Sequence, residues 1–106
     1  MSDVKLVVLY PQPTDTEQFE IDYSEHIALL HEKMRIPTDL KPYTVTKFDS
    51  EVHNPSPYYQ MFSMPFPSAE ALQQTLQSAE MQQVADDAIR ISTGGAPVIL
   101  TGSDAE

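Results

Sequence analysis

The fold is organised around one predicted helical stretch, Phe19-Glu20-Ile21-Asp22-Tyr23-Ser24-Glu25-His26-Ile27-Ala28-Leu29-Leu30. Successive residues of an α-helix are about 100° apart, so side chains that recur every three or four positions share one face. That face carries Phe19, Tyr23, His26, Ile27, Leu30 and Met34. Its central imidazole is either a core group with both nitrogens bonded or a desolvated group facing a pocket, and the pattern leaves both open.

The segments before and around this stretch predict a strand and a capped helix. Residues 4–10 are short, β-branched and almost wholly apolar, which is typical of a central strand covered on both faces. The helix is predicted to run from Thr16 to Met34. Thr14 or Asp15 is its expected cap, and Pro37 lies beyond its end.

The second half of the chain predicts three more strands and a broken helix. The strands cover residues 43–48, 58–66 and 97–101. A helix begins after Ser68, and its apolar stripe shifts phase near residues 78–80, which predicts a break followed by another helix. Residues 49–57 are a polar, proline-containing loop expected to cover a pocket mouth, and residues 102–106 are expected to be a loose tail.

The order strand, helix, strand, strand, helix, strand predicts a ferredoxin-like α+β fold with helices on one face of an antiparallel four-stranded sheet. At 106 residues the chain is expected to be one domain, residues 1–106. The first and third strands are apolar on both faces. The uncovered face of the sheet therefore predicts a homodimer formed by sheet-to-sheet contact.

The composition of the chain argues against several kinds of binding partner and of active site. With 6 basic and 16 acidic residues, the formal net charge is −10, which disfavours nucleic acids and anionic membranes. The chain has no cysteine, which excludes thiolate catalysis and cysteine-based zinc sites. No apolar run approaches the roughly 20 residues that cross a bilayer, and no signal peptide is evident. We expect a cytoplasmic protein.

Short motifs follow one another along the chain in a recognisable order: Val4-Lys5-Leu6-Val7-Val8-Leu9-Tyr10, Tyr23-Ser24-Glu25-His26-Ile27-Ala28-Leu29, Tyr43-Thr44-Val45, Pro57-Tyr58-Tyr59, Phe66-Pro67-Ser68-Ala69-Glu70-Ala71-Leu72 and Thr93-Gly94-Gly95. In these motifs the chain resembles the EthD-like group of dimeric α/β-barrel proteins. Ala28 stands where that group usually has proline. The helix is therefore expected to continue past His26 without a kink.

The resemblance implies several activities without choosing among them. The superfamily includes cofactor-independent oxygenases, lactone isomerases, polyketide cyclases and proteins encoded beside ether-degrading enzymes. We expect a small cofactor-independent enzyme, or an accessory protein, that acts on an apolar or aromatic carbonyl compound in catabolism. The alternatives are a non-enzymatic ligand-binding or partner protein of an oxygenase system, and an assembly dimer without a ligand.

Three residues are candidates for catalysis. His26 is the candidate acid and base, because the ordinary pKa of histidine suits proton transfer near neutral pH. Tyr23 lies one helical turn earlier and would orient the ring or donate to a ligand oxygen. The resemblance implies that Tyr43 points toward the same cavity. The competing interpretation makes His26 and Tyr23 ordinary core residues.

Three further residues are candidates for substrate binding: His53, Tyr59 and Phe62. The resemblance implies a second histidine in the long loop, although His53 is better explained as a surface residue without a role. Tyr59 and Phe62 belong to an aromatic and methionine-rich strand, which suits either a pocket wall or a core and dimer interface. No metal site is predicted, because His26 and His31 are about 140° apart on the helix and cannot share one metal ion. No cofactor is predicted either, since Thr93-Gly94-Gly95 lacks the glycine spacing of a phosphate-binding loop.

Overall fold

The computed structural model describes residues 4–50, 53 and 55–104. Its elements follow in the order β1 (Val4–Pro11), α1 (Thr16–Met34), β2 (Thr44–Lys47), β3 (Tyr58–Phe66), α2 (Ala69–Leu76), α3 (Ala79–Ile91) and β4 (Val98–Ser103). The predicted bounds of α1 and β3 are confirmed, and β2 is shorter than predicted by one residue at each end.

The four strands form one antiparallel sheet in the order β2-β3-β1-β4. β1 is central, as its apolar sequence predicts. In the register, Val8 lies opposite Phe62 of β3 on one side and Ile99 of β4 on the other. This is the predicted ferredoxin-like α+β fold.

The ends of α1 are set by local hydrogen bonds. Asp15, rather than Thr14, is the N-cap, and its carboxylate accepts from the backbone N–H of Gln18. The helix ends at Arg35, which adopts a left-handed conformation with φ 57°, and the N–H of Ile36 donates to the carbonyl of His31. Between these ends the helix continues through Ala28.

The predicted break in the second helical segment is confirmed. Ser68 caps α2 by accepting from the N–H of Ala71. Ser78 ends that helix and starts α3, because its hydroxyl donates to the carbonyl of Thr75 and accepts from the N–H of Met81. One serine therefore satisfies backbone groups on both sides of the bend.

The prediction of a loose tail is wrong for its first residues. Gly102 and Ser103 continue β4 and pair with Lys5 and Val4 of β1. The side chain of Lys5 also contacts the carboxylate of Asp104 at 2.9 Å. This pairing is a contact between distant parts of the chain, which the polar composition of the tail does not indicate.

The hydrophobic core lies between the helices and one face of the sheet. Its buried members come from β1, β3 and all three helices: Leu6, Val8, Tyr10, Phe19, Tyr23, Leu30, Phe62, Met64, Phe66, Leu72, Met81, Val84, Ala88 and Ile91. The side chains at the alternate strand positions lie on the opposite face of the sheet. They are Val7, Leu9, Met61, Val98 and Leu100. We call these five residues the open face.

Candidate active site

His26 lies on the buried face of α1 and pairs with a carboxylate of α3. Its Nδ1 is 2.8 Å from Oδ2 of Asp87, and 7% of its side chain is exposed. The other oxygen of Asp87, Oδ1, accepts a 2.8 Å hydrogen bond from Nε of Arg90. Asp87 is therefore held from two sides and fixes the orientation of the imidazole.

The packing of α3 explains how Asp87 reaches this position. The buried residues of α3 recur at helical spacing and are Met81, Val84, Ala88 and Ile91. Asp87 directly precedes Ala88 and is only partly buried, so it lies at the border of the packed face. Because α1 and α3 pack against each other, this border meets the face of α1 that carries His26.

In both His26 and Asp87, burial and the neighbouring charge shift the pKa in opposite directions. Burial lowers the pKa of His26 below its ordinary 6.5, and although Asp87 counteracts this, the net direction remains downward. Burial alone would raise the pKa of Asp87, but hydrogen bonds from Arg90 and His26 outweigh it, so that pKa is lowered. At neutral pH the pair is a neutral imidazole beside a carboxylate. Nδ1–H then donates to Asp87, which leaves the lone pair on Nε2.

Nε2 of His26 has no hydrogen-bond partner among the residues that the structure describes, since the bonding of the ring is through Nδ1. The ring lines a cavity of about 50 Å³ between α1, α3 and the sheet. The lining consists of Leu6, Val8, Tyr10, His26, Leu30, Phe62, Leu76, Met81, Val84, Ala85, Ala88 and Ile99. The imidazole of His26 thus belongs to the wall of a small, mainly apolar cavity.

Aromatic rings continue from His26 toward the start of α1. The ring of Tyr23 lies 5.8 Å from that of His26, and the ring of Tyr10 lies 5.6 Å from Tyr23. Burial raises the pKa of both tyrosines, so their hydroxyls stay protonated. The structure therefore brings Tyr23 next to His26, and Tyr10, unlike Tyr23, is part of the described cavity lining.

Tyr43 lies beside a different histidine. Its hydroxyl is 2.6 Å from Nε2 of His31, whose Nδ1 is 3.2 Å from the carbonyls of both Ile36 and Pro37. Nδ1 must donate to these carbonyls, so Nε2 accepts from the tyrosine hydroxyl. Both residues line a separate open groove of about 390 Å³ on α1. Tyr43 is not part of the described lining around His26, although its ring packs 5.3 Å from Phe62.

The three predicted binding residues lie in three different environments. Phe62 is buried and lines the cavity with His26. Tyr59 packs on Phe19 at 5.4 Å and donates a 2.7 Å hydrogen bond to Glu20, outside the described cavity lining. His53 is exposed. Residues 51, 52 and 54 of its loop lie outside the described residues, and none of the described loop residues is part of the cavity lining.

Sequence reasoning missed Asp87 and Tyr10. Asp87 is 61 residues from His26, and nothing in its own neighbourhood distinguishes it from the other acidic residues of α3. Its position beside the stripe of Val84 and Ala88 is the one available signal, because a carboxylate at the border of a packed face can meet a buried partner. Tyr10 ends an apolar strand and reads as ordinary core.

The described residues contain neither a metal-binding cluster nor a membrane-spanning helix. Within residues 4–50, 53 and 55–104, no cluster of three or more histidine, aspartate or glutamate side chains is arranged to hold a metal ion. In the same part of the chain, no helix combines the length and hydrophobicity that a membrane span requires.

Fold and site together define a class, a small ferredoxin-like protein with a histidine–carboxylate pair at an apolar cavity. Neither the models of known protein families nor the curated proteins contain a match to this chain. Among solved structures, the chain is similar to an ethyl tert-butyl ether d (EthD) family protein from Bacillus halodurans. The two share 28% identity and a TM-score of 0.78 over 97% of this chain and 99% of the other. The predicted resemblance to the EthD-like family is thereby confirmed.

Two more distant structures show the same fold. An EthD-like protein from Ralstonia eutropha has 20% identity and a TM-score of 0.65, over 96% of this chain and 91% of the other. A dimeric ferredoxin-like protein of unknown function from Jannaschia sp. has 16% identity and a TM-score of 0.65, over 95% and 97% of the two chains. At these identities the likeness concerns the fold alone.

Proposed function

We propose that the protein binds a small apolar carbonyl compound in the cavity beside His26 and transfers a proton on it without a cofactor. The observation that carries this proposal is the unequal bonding of the imidazole. Asp87 occupies Nδ1, whereas Nε2 has no partner among the described residues and the ring lines the cavity. A purely structural histidine, such as His31, has both nitrogens bonded to protein groups.

The pair suits abstraction of a proton from the carbon next to a carbonyl group. Nε2 takes the proton, and the C–H bonding pair moves into the enolate. The resulting imidazolium is stabilised by Asp87, which keeps its own negative charge. Return of the proton to another position completes an isomerisation. Alternatively, the enolate carbon attacks a second carbonyl of the same molecule, and the imidazolium returns its proton to the resulting alkoxide, which completes a cyclisation.

The positions of Tyr23, Phe62 and Tyr43 support different roles for the three residues. Tyr23 lies next to His26 and keeps its proton, so it is proposed to orient the ring or to contact a ligand oxygen. Phe62 forms an apolar wall. Tyr43 is proposed only as a support of that wall, since its hydroxyl is engaged by His31.

We further propose that two copies associate through the open face. Leu100 there is 50% exposed on the edge strand β4, with Val98 on the same strand, Val7 and Leu9 on the adjacent β1, and Met61 on β3. An apolar patch of this kind favours contact with another protein surface. The similar protein from Jannaschia sp. is described as dimeric. Two sheets facing each other would give a dimeric α/β barrel.

Proton abstraction is testable before the natural substrate is known. A panel of small enolisable ketones is incubated with the protein in D₂O, and loss of the α-proton signal is followed by NMR. The native protein is expected to accelerate exchange, and His26→Gln to abolish the acceleration. His31→Gln is the matched control, because it removes a buried histidine of the same helix and should retain exchange.

The competing function is ligand binding without chemistry. It predicts that ketones bind in the cavity while exchange in D₂O proceeds at the rate of the buffer, in the native protein as in His26→Gln. That result, obtained with a folded native protein and demonstrated binding, would contradict the proposed proton transfer and favour a carrier or partner protein.

A further inference from the structure

Three buried polar atoms lack a hydrogen bond within the described part of the chain. They are Oη of Tyr23 and both side-chain atoms of Gln60, Nε2 and Oε1. The side chain of Gln60 is fully buried, with 0% exposure. Burying an amide without partners is costly, and the great majority of buried polar groups in proteins are bonded. The Tyr23 hydroxyl and the Gln60 amide lie near each other, but one contact between them cannot satisfy both the N–H donors and the oxygen of the amide. At least one atom of the Gln60 amide is therefore expected to pair with something other than the described part of the chain.

The unpaired atoms lie directly behind the wall of the cavity. Gln60 is opposite Tyr10 in the register of β3 and β1, and it shares its face of β3 with Phe62. Tyr10, Phe62 and His26 line the cavity, and the Tyr23 ring contacts two of these three. The Tyr23 hydroxyl is also within reach of the Gln60 amide, which opposes the larger effect of burial on the pKa of Tyr23. Because neither Tyr23 nor Gln60 belongs to the described lining, a ligand in the cavity reaches these atoms only when the Tyr10 or Phe62 side chain moves aside.

We infer that Tyr23 and Gln60 bind the polar end of the ligand, a neutral group in which a hydroxyl or enol lies next to a carbonyl oxygen. This inference rests on the ligand cavity of the proposed function and specifies what that cavity selects. The carbonyl oxygen accepts from Nε2 of Gln60 or from the Tyr23 hydroxyl. The ligand hydroxyl donates to Oε1 of Gln60, which a simple ketone leaves unpaired.

Charge supports a neutral ligand rather than a carboxylate. The described cavity lining contains no lysine or arginine. The charges that act on the two tyrosine hydroxyls are negative, since Asp87 raises the pKa of Tyr10 and Glu20 raises that of Tyr23. An anionic ligand would meet repulsion without a compensating cation. The pattern of one acceptor beside one donor is instead the pattern of a hydroxyketone or an enolised dicarbonyl.

Two pairs of nearly isosteric compounds test this inference. Hydroxyacetone is compared with butanone, and 2-hydroxyacetophenone with propiophenone, so each pair differs only in a hydroxyl replaced by a methyl group. Binding is measured by NMR titration of the ¹⁵N-labelled protein, with the side-chain amide signals of Gln60 as the local reporter. The native protein is expected to prefer the hydroxyketone of at least one pair by about tenfold, and that ligand should shift the Gln60 signals.

Substitutions separate recognition from mere apolar packing. Gln60→Leu and Tyr23→Phe should each abolish the preference while keeping the binding of the methyl analogue. Gln83→Leu makes the same chemical change at an exposed position of α3 and should leave the preference intact. Since Gln60→Leu removes unpaired atoms from the core, it is also expected to fold at least as stably as the native protein. Tyr23→Phe gives an independent readout of the same site.

Two results would overturn the inference: a preference for the hydroxyketone that persists in both variants, or Gln60 signals that respond to none of the four compounds. The exchange assay with His26→Gln separates this outcome from failure of the proposed function. Loss of exchange in that variant together with an unchanged preference in Gln60→Leu would leave proton transfer standing without this recognition site. A lost preference in Gln60→Leu without any catalysed exchange would leave binding standing without the chemistry.

Discussion

Oδ2 of Asp87 lies 2.8 Å from Nδ1 of His26, although 61 residues separate them along the chain. The contact joins α3 to α1 and defines which nitrogen of the imidazole carries its proton. Because Asp87 is also bonded to Arg90, the carboxylate remains ionised and cannot turn away easily. The direction of the Asp87 effect on His26 can therefore be tested by changing either neighbour.

Asp87→Asn should lower the pKa of His26 further, because the ionised carboxylate opposes the effect of burial. The exchange rate rises with pH as His26 loses its proton, and in this variant the rise should occur at lower pH. The maximal rate should also fall. Loss of the charged partner is expected to cost about 1–3 kcal/mol of stability. NMR titration of the His26 ring protons measures the pKa directly. Arg90→Gln is the control, and it should raise the pKa of His26, because Arg90 lowers that pKa. A shift of the His26 pKa in the same direction in both variants would contradict this electrostatic account.

The free energy of unfolding should decrease as the pH falls below about 6.5. The pKa of His26 is lowered in the folded protein relative to its ordinary value of 6.5, so the unfolded chain binds a proton more readily in that range. His26 therefore contributes stability above this pH and loses it as the pH falls toward the pKa of the folded state. Urea unfolding at a series of pH values between 7.5 and 5 measures the slope. His26→Gln should show a flatter slope, and an identical slope in the two proteins would exclude His26 as its source.

The features that could be predicted from the sequence depend on local patterns, whereas those that could not depend on contacts between distant parts of the chain. The bounds of α1, the serine-directed break between α2 and α3 and the central position of β1 depend on local patterns, and each is visible in a short window. The pairing of His26 with Asp87 depends on how two distant helices pack, and the pairing of Tyr43 with His31 depends on where the chain runs after Pro37. Gly102 and Ser103 join β4 through partners near the other end of the chain. None of these three contacts leaves a local signal.

Leu100→Glu should shift the protein from dimer to monomer, since it places a charge on the β4 side of the open face. Leu100 is 50% exposed in the described chain, so the substitution should leave the fold of a single copy intact. Size-exclusion chromatography with light scattering measures the mass across a range of concentrations. Ile89→Glu is the matched control, because Ile89 is 55% exposed on α3 and lies away from the sheet. A Leu100→Glu protein that keeps the mass of a dimer would contradict association through this face.

Tyr43→Phe should lower stability by about 1 kcal/mol while leaving the exchange reaction unchanged. The tyrosine hydroxyl donates to Nε2 of His31, and the other ring nitrogen ties the end of α1 to the carbonyls of Ile36 and Pro37. Removing the hydroxyl therefore loosens the chain after α1 without altering the described lining around His26. Denaturant unfolding gives the stability, and exchange in D₂O gives the activity of the same samples. The aromatic ring is retained, so its packing on Phe62 is preserved and the comparison isolates one hydrogen bond. A large loss of exchange with normal stability would instead assign Tyr43 to the reaction, as the family resemblance implies, and would require the two histidines to serve one common site.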